Sequence, residues 1–151
     1  MTHSEKQRKI DTVVEKFYKA FDNRAGNVPS LIEMVELFCE RSVVTQHREG
    51  ICEFYTPSEF ARPRVDLLNS GSLVDFHEWE ENAITDIVGC IATRTSRYAK
   101  SGVLDGLEYS GNGTKVYQFV MLNQEWRIVA LSWVDDVRFP DEVYAFDIED
   151  R

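Results

Sequence analysis

Two adjacent strand-like segments, residues 114–122 and 126–135, constrain the fold more than any other feature. β-Branched and aromatic side chains dominate both segments, and the turn formers Asn123, Gln124 and Glu125 separate them, which predicts a β-hairpin. Strict alternation would divide the large side chains of the second segment between two faces, with Trp126, Ile128, Ala130 and Val134 on one and Val129, Leu131 and Trp133 on the other. A sheet with one solvated face would be polar on that face. We therefore expect a sheet covered on both sides, with a second copy of the chain on its outer face in a homodimer.

Length, charge and cysteine content limit the possible classes of function. A chain of 151 residues predicts a single domain over residues 1–151, with residues 138–151 as an acidic tail that contains aromatic residues. The net charge of −9 argues against nucleic acid and anionic membranes as partners. Three cysteines without CxxC spacing predict buried, reduced thiols, and scattered histidines predict no metal site. The sequence has no apolar signal segment, membrane-spanning window or nucleotide-binding motif, so we predict a cytoplasmic protein without a cofactor.

Three segments have the pattern of helices. Ser4 with Gln7 predicts a capping box at the start of the first helix. An apolar stripe at helical spacing follows, formed by Ile10, Val13, Val14, Phe17, Tyr18 and Phe21. A shorter helix is predicted to begin near Ser30. The third is predicted to begin in residues 56–59, where Thr-Pro-Ser-Glu combines an N-cap threonine, proline at the first helical position and glutamate at N3.

The strand pattern completes an α+β layout. Residues 42–46 predict a first strand between the second and third helices. Residues 73–80 and 83–98 predict two long strands, paired as a hairpin through a short connection at residues 81–82. Residues 99–113 contain four glycines and predict a loop before the closing hairpin. Helices followed by a run of antiparallel strands indicate the α+β class.

Three local patterns resemble a known superfamily. Residues 17–21 read Phe-Tyr-Lys-Ala-Phe before a short second helix, and residues 56–60 open the third helix as Thr-Pro-Ser-Glu-Phe. Residues 111–136 contain Gly-Asn-Gly-Thr-Lys, Tyr-Gln-Phe-Val, Trp-Arg-Ile-Val-Ala-Leu-Ser-Trp and a final Asp-Asp pair. The chain resembles the nuclear transport factor 2-like (NTF2-like) superfamily, which includes ketosteroid isomerase-like, SnoaL-like and DUF4440-like proteins. The resemblance implies a cystatin-like cone, in which a long N-terminal helix and two shorter helices pack on a curved antiparallel sheet around a ligand pocket.

One strand of such a cone supplies candidate catalytic residues. Asp75, His77 and Trp79 alternate and therefore share one face. If that face is inward, His77 would be a general base oriented by Asp75, and Trp79 would stack on a ligand. The resemblance further implies that Tyr18 on the first helix donates to an oxyanion, as a tyrosine does in ketosteroid isomerase. The alternative is a solvent-facing polar row, with Tyr18 bonded to a backbone carbonyl. In that arrangement the inward residues of the strand are Val74 and Phe76.

We assign four further residues to the wall of a ligand pocket, namely His47, Arg94, Tyr98 and Tyr117. His47 ends the first strand. The alternative is that it lies at the rim of the cone without a functional role. Arg94 shares a face with Tyr98, and its guanidinium would bind a ligand carboxylate or form a cross-strand ion pair. Asp135 and Asp136 are adjacent and point to opposite faces, so one of them would face the pocket.

The residues leave two functions open. Because the sequence shows no complete acid–base set, it favours a domain that binds a small, largely apolar ligand. The alternative, which the superfamily resemblance supports, is an enzyme of the isomerase or dehydratase type that moves a proton next to a carbonyl.

Overall fold

The computed structural model describes residues 1–136, which form three α-helices against a curved, mixed sheet of six strands. The helices are α1 (His3–Lys19), α2 (Leu31–Val35) and α3 (Pro57–Asn69), with a 3-10 turn at Arg24–Gly26. The strands are β1 (Phe38–Arg48), β2 (Ile51–Tyr55), β3 (Leu73–Val88), β4 (Ile91–Leu104), β5 (Leu107–Leu122) and β6 (Glu125–Asp135). The predicted α+β, cystatin-like cone is confirmed. The predicted tail at residues 138–151 lies outside the described residues.

The strand order is β2-β1-β6-β5-β4-β3. Neighbouring strands are antiparallel except β1 and β6, which run parallel, so the sheet is mixed rather than wholly antiparallel. The predicted closing hairpin is β5–β6. Its turn places Asn123 and Gln124 at positive φ of 52° and 64°, as the right-handed twist of a two-residue hairpin favours.

The helix starts follow the expected side-chain caps, with one shift. In α1 the capping box is formed by Thr2 and Glu5, two residues before the predicted Ser4–Gln7 pair. In α3 the predicted box is present, because Thr56 and Glu59 each accept a hydrogen bond from the other's backbone N–H. These caps satisfy amide groups that the first helical turn leaves without partners.

Two expected strand boundaries are wrong. β3 does not stop at residues 81–82 but continues through a bulge to Val88, and the chain reverses at Gly89 and Cys90. Residues 99–113 are not a loop, because β4 runs to Leu104 and β5 begins at Leu107 after the tight turn at Asp105 and Gly106. Both stretches contain weak strand formers. Pairing to a neighbouring strand outweighs that weak local propensity.

Helix α1 lies across the concave face of the sheet, and its apolar stripe is the centre of the core. Phe17 is fully buried, and its ring centroid lies 5.3 Å from that of Phe21, 5.7 Å from Tyr117 and 5.9 Å from Phe38. Burial of each such side chain stabilises the fold by about 1.5–3 kcal/mol. This packing fixes which face of α1 looks into the cone.

A β-bulge changes which residues of a strand face the cone. The prediction from the sequence assumed strict alternation and therefore contained no bulges. In β6, Gln118 pairs with Ala130 and Phe119 with Ile128, so Val129 is an extra residue. Trp126 and Ile128 consequently share the buried face with Leu131 and Trp133, which corrects the predicted division of this strand.

Two exposure results concern features outside the cone. Cys52 and Cys90 are exposed and Cys39 is partly buried, so the prediction of three buried thiols is wrong. Among residues 1–136, none of the helices has the length and apolar character needed to cross a membrane.

Candidate functional site

Four strands bring a set of charged and polar side chains to the inner face of the sheet beneath α1. We call this set the inner polar cluster: Glu78 and Glu80 from β3, Arg94, Ser96 and Lys100 from β4, Lys115 from β5, and Asp135 from β6. All are buried except Glu80, which is half-buried. Buried charges are expensive unless they are paired and hydrogen-bonded. Their presence inside a small domain is therefore the main feature of the site.

Lys115 and Glu78 form the innermost ion pair. The Lys115 ammonium group donates to Glu78 Oε1, and both side chains are buried. Lys115 Nζ also lies 3.6 Å from the ring centroid of Tyr98 and 4.5 Å from that of Tyr18, so aromatic faces surround the cation. Burial lowers the pKa of Lys115 below its ordinary value even though the Glu78 carboxylate opposes that change.

Lys100, Asp135 and Tyr98 form a second group beside the first. Lys100 Nζ lies 3.2 Å from Asp135 Oδ1, and the Tyr98 hydroxyl donates to the same oxygen. Burial lowers the pKa of Lys100, but the charge of Asp135 together with Tyr109 and Glu78 outweighs that effect, and the pKa is raised. Burial, followed by the charge of Asp135, raises the pKa of Tyr98 well above its ordinary value. This group therefore holds a protonated lysine and a protonated phenol against one carboxylate.

A hydrogen-bonded chain leads from α1 to the edge of the cone. The Tyr18 hydroxyl lies 2.7 Å from Ser96 Oγ, and Ser96 donates to Glu80 at 2.5 Å. Arg94 donates to both oxygens of Glu80 and, at 2.6 Å, to Asp11 on α1. Of the two predicted roles for Arg94, the structure contains the ion pair. Burial raises the pKa of Tyr18, so its hydroxyl stays protonated at neutral pH.

Tyr117 completes the aromatic wall. Its side chain is fully buried, and its ring stacks on Phe119 with centroids 5.5 Å apart. Within residues 1–136 its hydroxyl makes no well-aligned hydrogen bond, although the nearby Tyr18 hydroxyl helps to raise its pKa after the larger effect of burial. The Tyr117 hydroxyl therefore lies beside that of Tyr18 at the polar end of the aromatic wall.

The structure places His77, Asp75 and Trp79 away from this cluster. A bulge lies between Val74 and His77, Asp75 has a φ of 51°, and the next inward residues are Phe76 and Glu78. His77 consequently lies on the other face, stacked on Trp79 with centroids 4.5 Å apart. The expectation that His77 and Asp75 face Tyr18 is corrected.

The alternative prediction, that Val74 and Phe76 face inward on this strand, is correct for Phe76 alone. Phe76 is fully buried, but Val74 is 39% exposed, because the bulge inserts one extra residue between Leu73 and Phe76. Burial, followed by the positive charge of Arg24, lowers the pKa of His77, so it is mainly neutral at pH 7.

His47 also lies outside the cone. It is exposed near the end of β1, opposite Cys52 on the edge strand β2, while its neighbour Gln46 is buried. Of the predicted pocket residues, Arg94, Tyr98 and Tyr117 are buried on the inner face and His47 and Trp79 are not. Asp135 is inward and Asp136 bonds Arg97, as their adjacency predicted.

Sequence reasoning missed Glu78, Lys100 and Lys115, although a signal for two of them was present. Tyr98 was assigned to the pocket, and Lys100 lies two residues further along an unbroken strand, hence on the same face. Lys115 stands in the same relation to Tyr117. Lysine is rarely buried, and this general rule concealed the pattern. Glu78 could not be found in this way, because the bulge near Asp75 changes the alternation.

Clefts of about 440, 460 and 590 Å³ border α1 outside the inner polar cluster. The first is bordered by Lys9, Lys16, Glu36, Trp126 and Arg127. Lys9 and Arg127 donate to the backbone carbonyls of Gln124 and Glu36. Within residues 1–136, no three His, Cys, Asp or Glu side chains are grouped to hold a metal ion.

Comparisons with known proteins identify the fold. No family model matches the sequence, and no curated protein matches it. Many solved structures do. A protein of unknown function with a cystatin-like fold from Nostoc punctiforme is 15% identical with a TM-score of 0.67, and the match covers 93% of this chain and 97% of that one. An NTF2-like protein of unknown function from Silicibacter pomeroyi is 18% identical with a TM-score of 0.61, covering 90% and 100%.

A third similar structure bears the name of an enzyme. It is a candidate scytalone dehydratase from Novosphingobium aromaticivorans, 13% identical with a TM-score of 0.71, and the match covers 93% of this chain and 90% of that one. Identities this low establish a shared fold and leave the chemistry to be argued from the site. The chain has the NTF2-like, cystatin-like fold.

Proposed function

We propose that this NTF2-like chain binds a small, largely apolar ligand inside the cone, with a polar group of the ligand directed at the inner polar cluster. The observation that carries the proposal is the buried Lys115–Glu78 ion pair beneath Tyr18 and Tyr98. A fold does not need such a pair, since well-packed apolar residues in place of a buried ion pair are often neutral or stabilising. Perturbed titratable groups occur preferentially at functional sites.

The composition of the wall indicates the class of ligand. Phe17, Tyr18, Tyr98 and Tyr117 provide aromatic surface around the two lysines and their carboxylates. A mainly apolar wall with a few convergent polar groups is typical of small-molecule sites. The polar end contains both hydrogen-bond donors and acceptors, which suits a carbonyl or hydroxyl oxygen better than a free carboxylate, because Lys100 and Lys115 are already paired with Asp135 and Glu78.

A thermal-shift experiment with matched variants tests this proposal. The probes are acetophenone, benzylacetone and cyclohexyl methyl ketone. The variants are Tyr98→Phe, which removes a hydroxyl from the cluster, and His77→Gln on the opposite face of the sheet. A ligand at about 100 times its Kd stabilises by about 2.7 kcal/mol, which corresponds to roughly 5–10 °C for a domain of this size.

We expect that shift in the wild type and in His77→Gln, and a smaller shift in Tyr98→Phe, each measured against the same variant without ligand. If no probe raises the melting temperature, the proposal for this class of ligand fails. If the shift is lost in His77→Gln alone, the site lies on the outer face instead.

A second candidate, an isomerase or dehydratase-type enzyme, is favoured by one specific observation. The cluster pairs the proton donors Tyr98 and Lys115 with the carboxylates of Asp135 and Glu78 on one buried face of the sheet. A tyrosine and a carboxyl group also form the oxyanion site of ketosteroid isomerase, where a separate carboxylate removes the proton. In this chain Glu78 would remove a proton next to a carbonyl and Tyr98 would donate to the developing oxyanion.

Proton–deuterium exchange distinguishes the enzyme from the binding domain. If the chain transfers protons, deuterium from the solvent enters the carbon next to the carbonyl of benzylacetone faster with protein than without it, as NMR would show. Glu78→Gln would then lower the rate by about 10²–10⁴. Exchange equal to the protein-free rate, combined with a thermal shift, would identify a binding domain and exclude this activity.

A further inference from the structure

The two buried lysines of the cone have similar burial but different partners. Lys100 and Lys115 are each 4% exposed and lie on the adjacent strands β4 and β5. Lys100 faces the carboxylate of Asp135, which also accepts the Tyr98 hydroxyl. Lys115 pairs with Glu78 and is surrounded by four aromatic rings, whereas the ring of Tyr109 lies over the Lys100 ammonium. The two amines therefore differ in their aromatic surroundings.

The surroundings of Lys115 ease the loss of its proton. Besides Tyr98 and Tyr18, the rings of Phe17 and Phe21 lie 5.6 and 5.7 Å from Nζ, and the positive charge of Lys100 partly offsets the effects of Glu78 and Asp135. Aromatic burial and a neighbouring cation are the conditions that activate lysine nucleophiles in enzymes. Burial accordingly lowers the pKa of Lys115, whereas the pKa of Lys100 is raised.

We propose that Lys115 is a nucleophilic amine that forms an imine with the carbonyl group of a small apolar aldehyde or ketone held in the cone, with Glu78 as the group that moves the protons. This inference rests on the proposed binding function and goes beyond it, because it assigns a covalent step to one residue. Lys100 remains an ammonium group and keeps its place opposite Asp135.

The step is balanced without another reactant. The Lys115 ammonium gives one proton to Glu78, and the free amine lone pair forms a C–N bond with the carbonyl carbon. A proton then passes from nitrogen to the former carbonyl oxygen, giving a neutral carbinolamine. Glu78 returns its proton to the hydroxyl group, the C–O bond breaks, and water leaves. The products are a protonated imine on Lys115, one water molecule and the Glu78 carboxylate.

Reductive trapping on the whole chain tests the inference. The protein is incubated with hydrocinnamaldehyde and sodium cyanoborohydride across a pH series, and peptide mass spectrometry measures the labelling rate at each lysine. The exposed lysines Lys9 and Lys19 are internal references, and Lys100 is the matched buried reference. Lys115→Arg and Lys100→Arg confirm the assignment of labelled peptides. The wild-type measurement does not depend on either variant folding.

We expect Lys115 to be labelled about tenfold or more faster than Lys9 or Lys19 at neutral pH, because its lowered pKa leaves more free amine and the cone holds the aldehyde beside it. Its labelling rate should also level off at a lower pH than theirs. The inference fails if Lys115 reacts no faster than the exposed lysines, or if Lys100 reacts equally fast.

A non-reactive analogue separates this inference from the proposed function. Hydrocinnamyl alcohol has the same apolar body but cannot form an imine. If the alcohol raises the melting temperature while Lys115 is not preferentially trapped, the binding function stands and the nucleophile assignment is rejected. If neither effect is seen, both proposals fail for this class of ligand. Preferential trapping at Lys115 supports the inference whether or not the alcohol binds.

Discussion

The Tyr98 hydroxyl donates a hydrogen bond to Asp135 across an intervening strand. Tyr98 on β4 is paired with Gly113 on β5, and Gly113 is paired in turn with Asp135 on β6. A Cβ atom at Gly113 would lie 2.6 Å from the Tyr98 oxygen and 2.6 Å from the Val134 carbonyl oxygen, closer than atoms normally approach. The absence of a side chain at Gly113 therefore leaves the room in which the Tyr98 hydroxyl contacts the Asp135 carboxylate.

Replacing that glycine should disturb the site and the fold together. We expect Gly113→Ala to lower the free energy of unfolding by about 1–3 kcal/mol, because the added methyl group must displace Tyr98 or the β6 backbone. Urea denaturation measures the change. Gln118→Ala, at an exposed position of the same strand, is the control and should change stability by less than about 0.5 kcal/mol. Equal effects of the two substitutions would contradict the packing argument.

More of the fold than of the candidate site could be predicted from the sequence. Residues 56–59 specify a cap by local chemistry, and the apolar stripe of α1 repeats over several turns, so both were found. The face of β3 could not be found, because a single bulge at Asp75 changes the side-chain alternation and depends on pairing with β4. The charge pairs were hidden for a related reason: Lys115 and Glu78 are 37 positions apart, so only the folded sheet brings them together.

The second prediction concerns the energy of the buried pair. Lys115→Met should destabilise the protein by about 3–5 kcal/mol, because Glu78 would be left as a buried charge without its cation. The double variant Lys115→Met/Glu78→Met should recover most of that loss or exceed the wild-type stability. Urea midpoints of the two single variants and the double variant measure the coupling. A double variant as unstable as the sum of the single variants would show that the fold itself requires the pair.

The third prediction is a loss of stability at high pH. The pKa values of Tyr18, Tyr98 and Tyr117 are raised in the folded state, chiefly by burial, from an ordinary value of 10.0. Above pH 10.0 the unfolded chain therefore releases protons that the folded chain retains, so the free energy of unfolding falls as pH rises.

Absorbance of tyrosinate, followed together with far-UV circular dichroism, checks the sign. We expect these three side chains to ionise only as the protein unfolds, so that the rise in absorbance coincides with the loss of circular dichroism. Full ionisation of all tyrosines near pH 10.0 with the secondary structure intact would contradict the buried positions.

The last prediction concerns assembly through the outer face of the sheet. Val43 on β1, Val134 on β6 and Val116 on β5 are 40%, 43% and 45% exposed and lie on three neighbouring strands. Because an exposed apolar strip on a sheet face is a typical self-complementary surface, we expect a homodimer with these valines near its centre. Sedimentation at micromolar concentration should give twice the mass of 17.5 kDa for the wild type and the single-chain mass for Val116→Lys. Ile32→Lys, an exposed apolar position on α2, is the matched control and should remain dimeric. A wild-type protein that sediments as a single chain, or a Val116→Lys variant that remains dimeric, would rule out this interface.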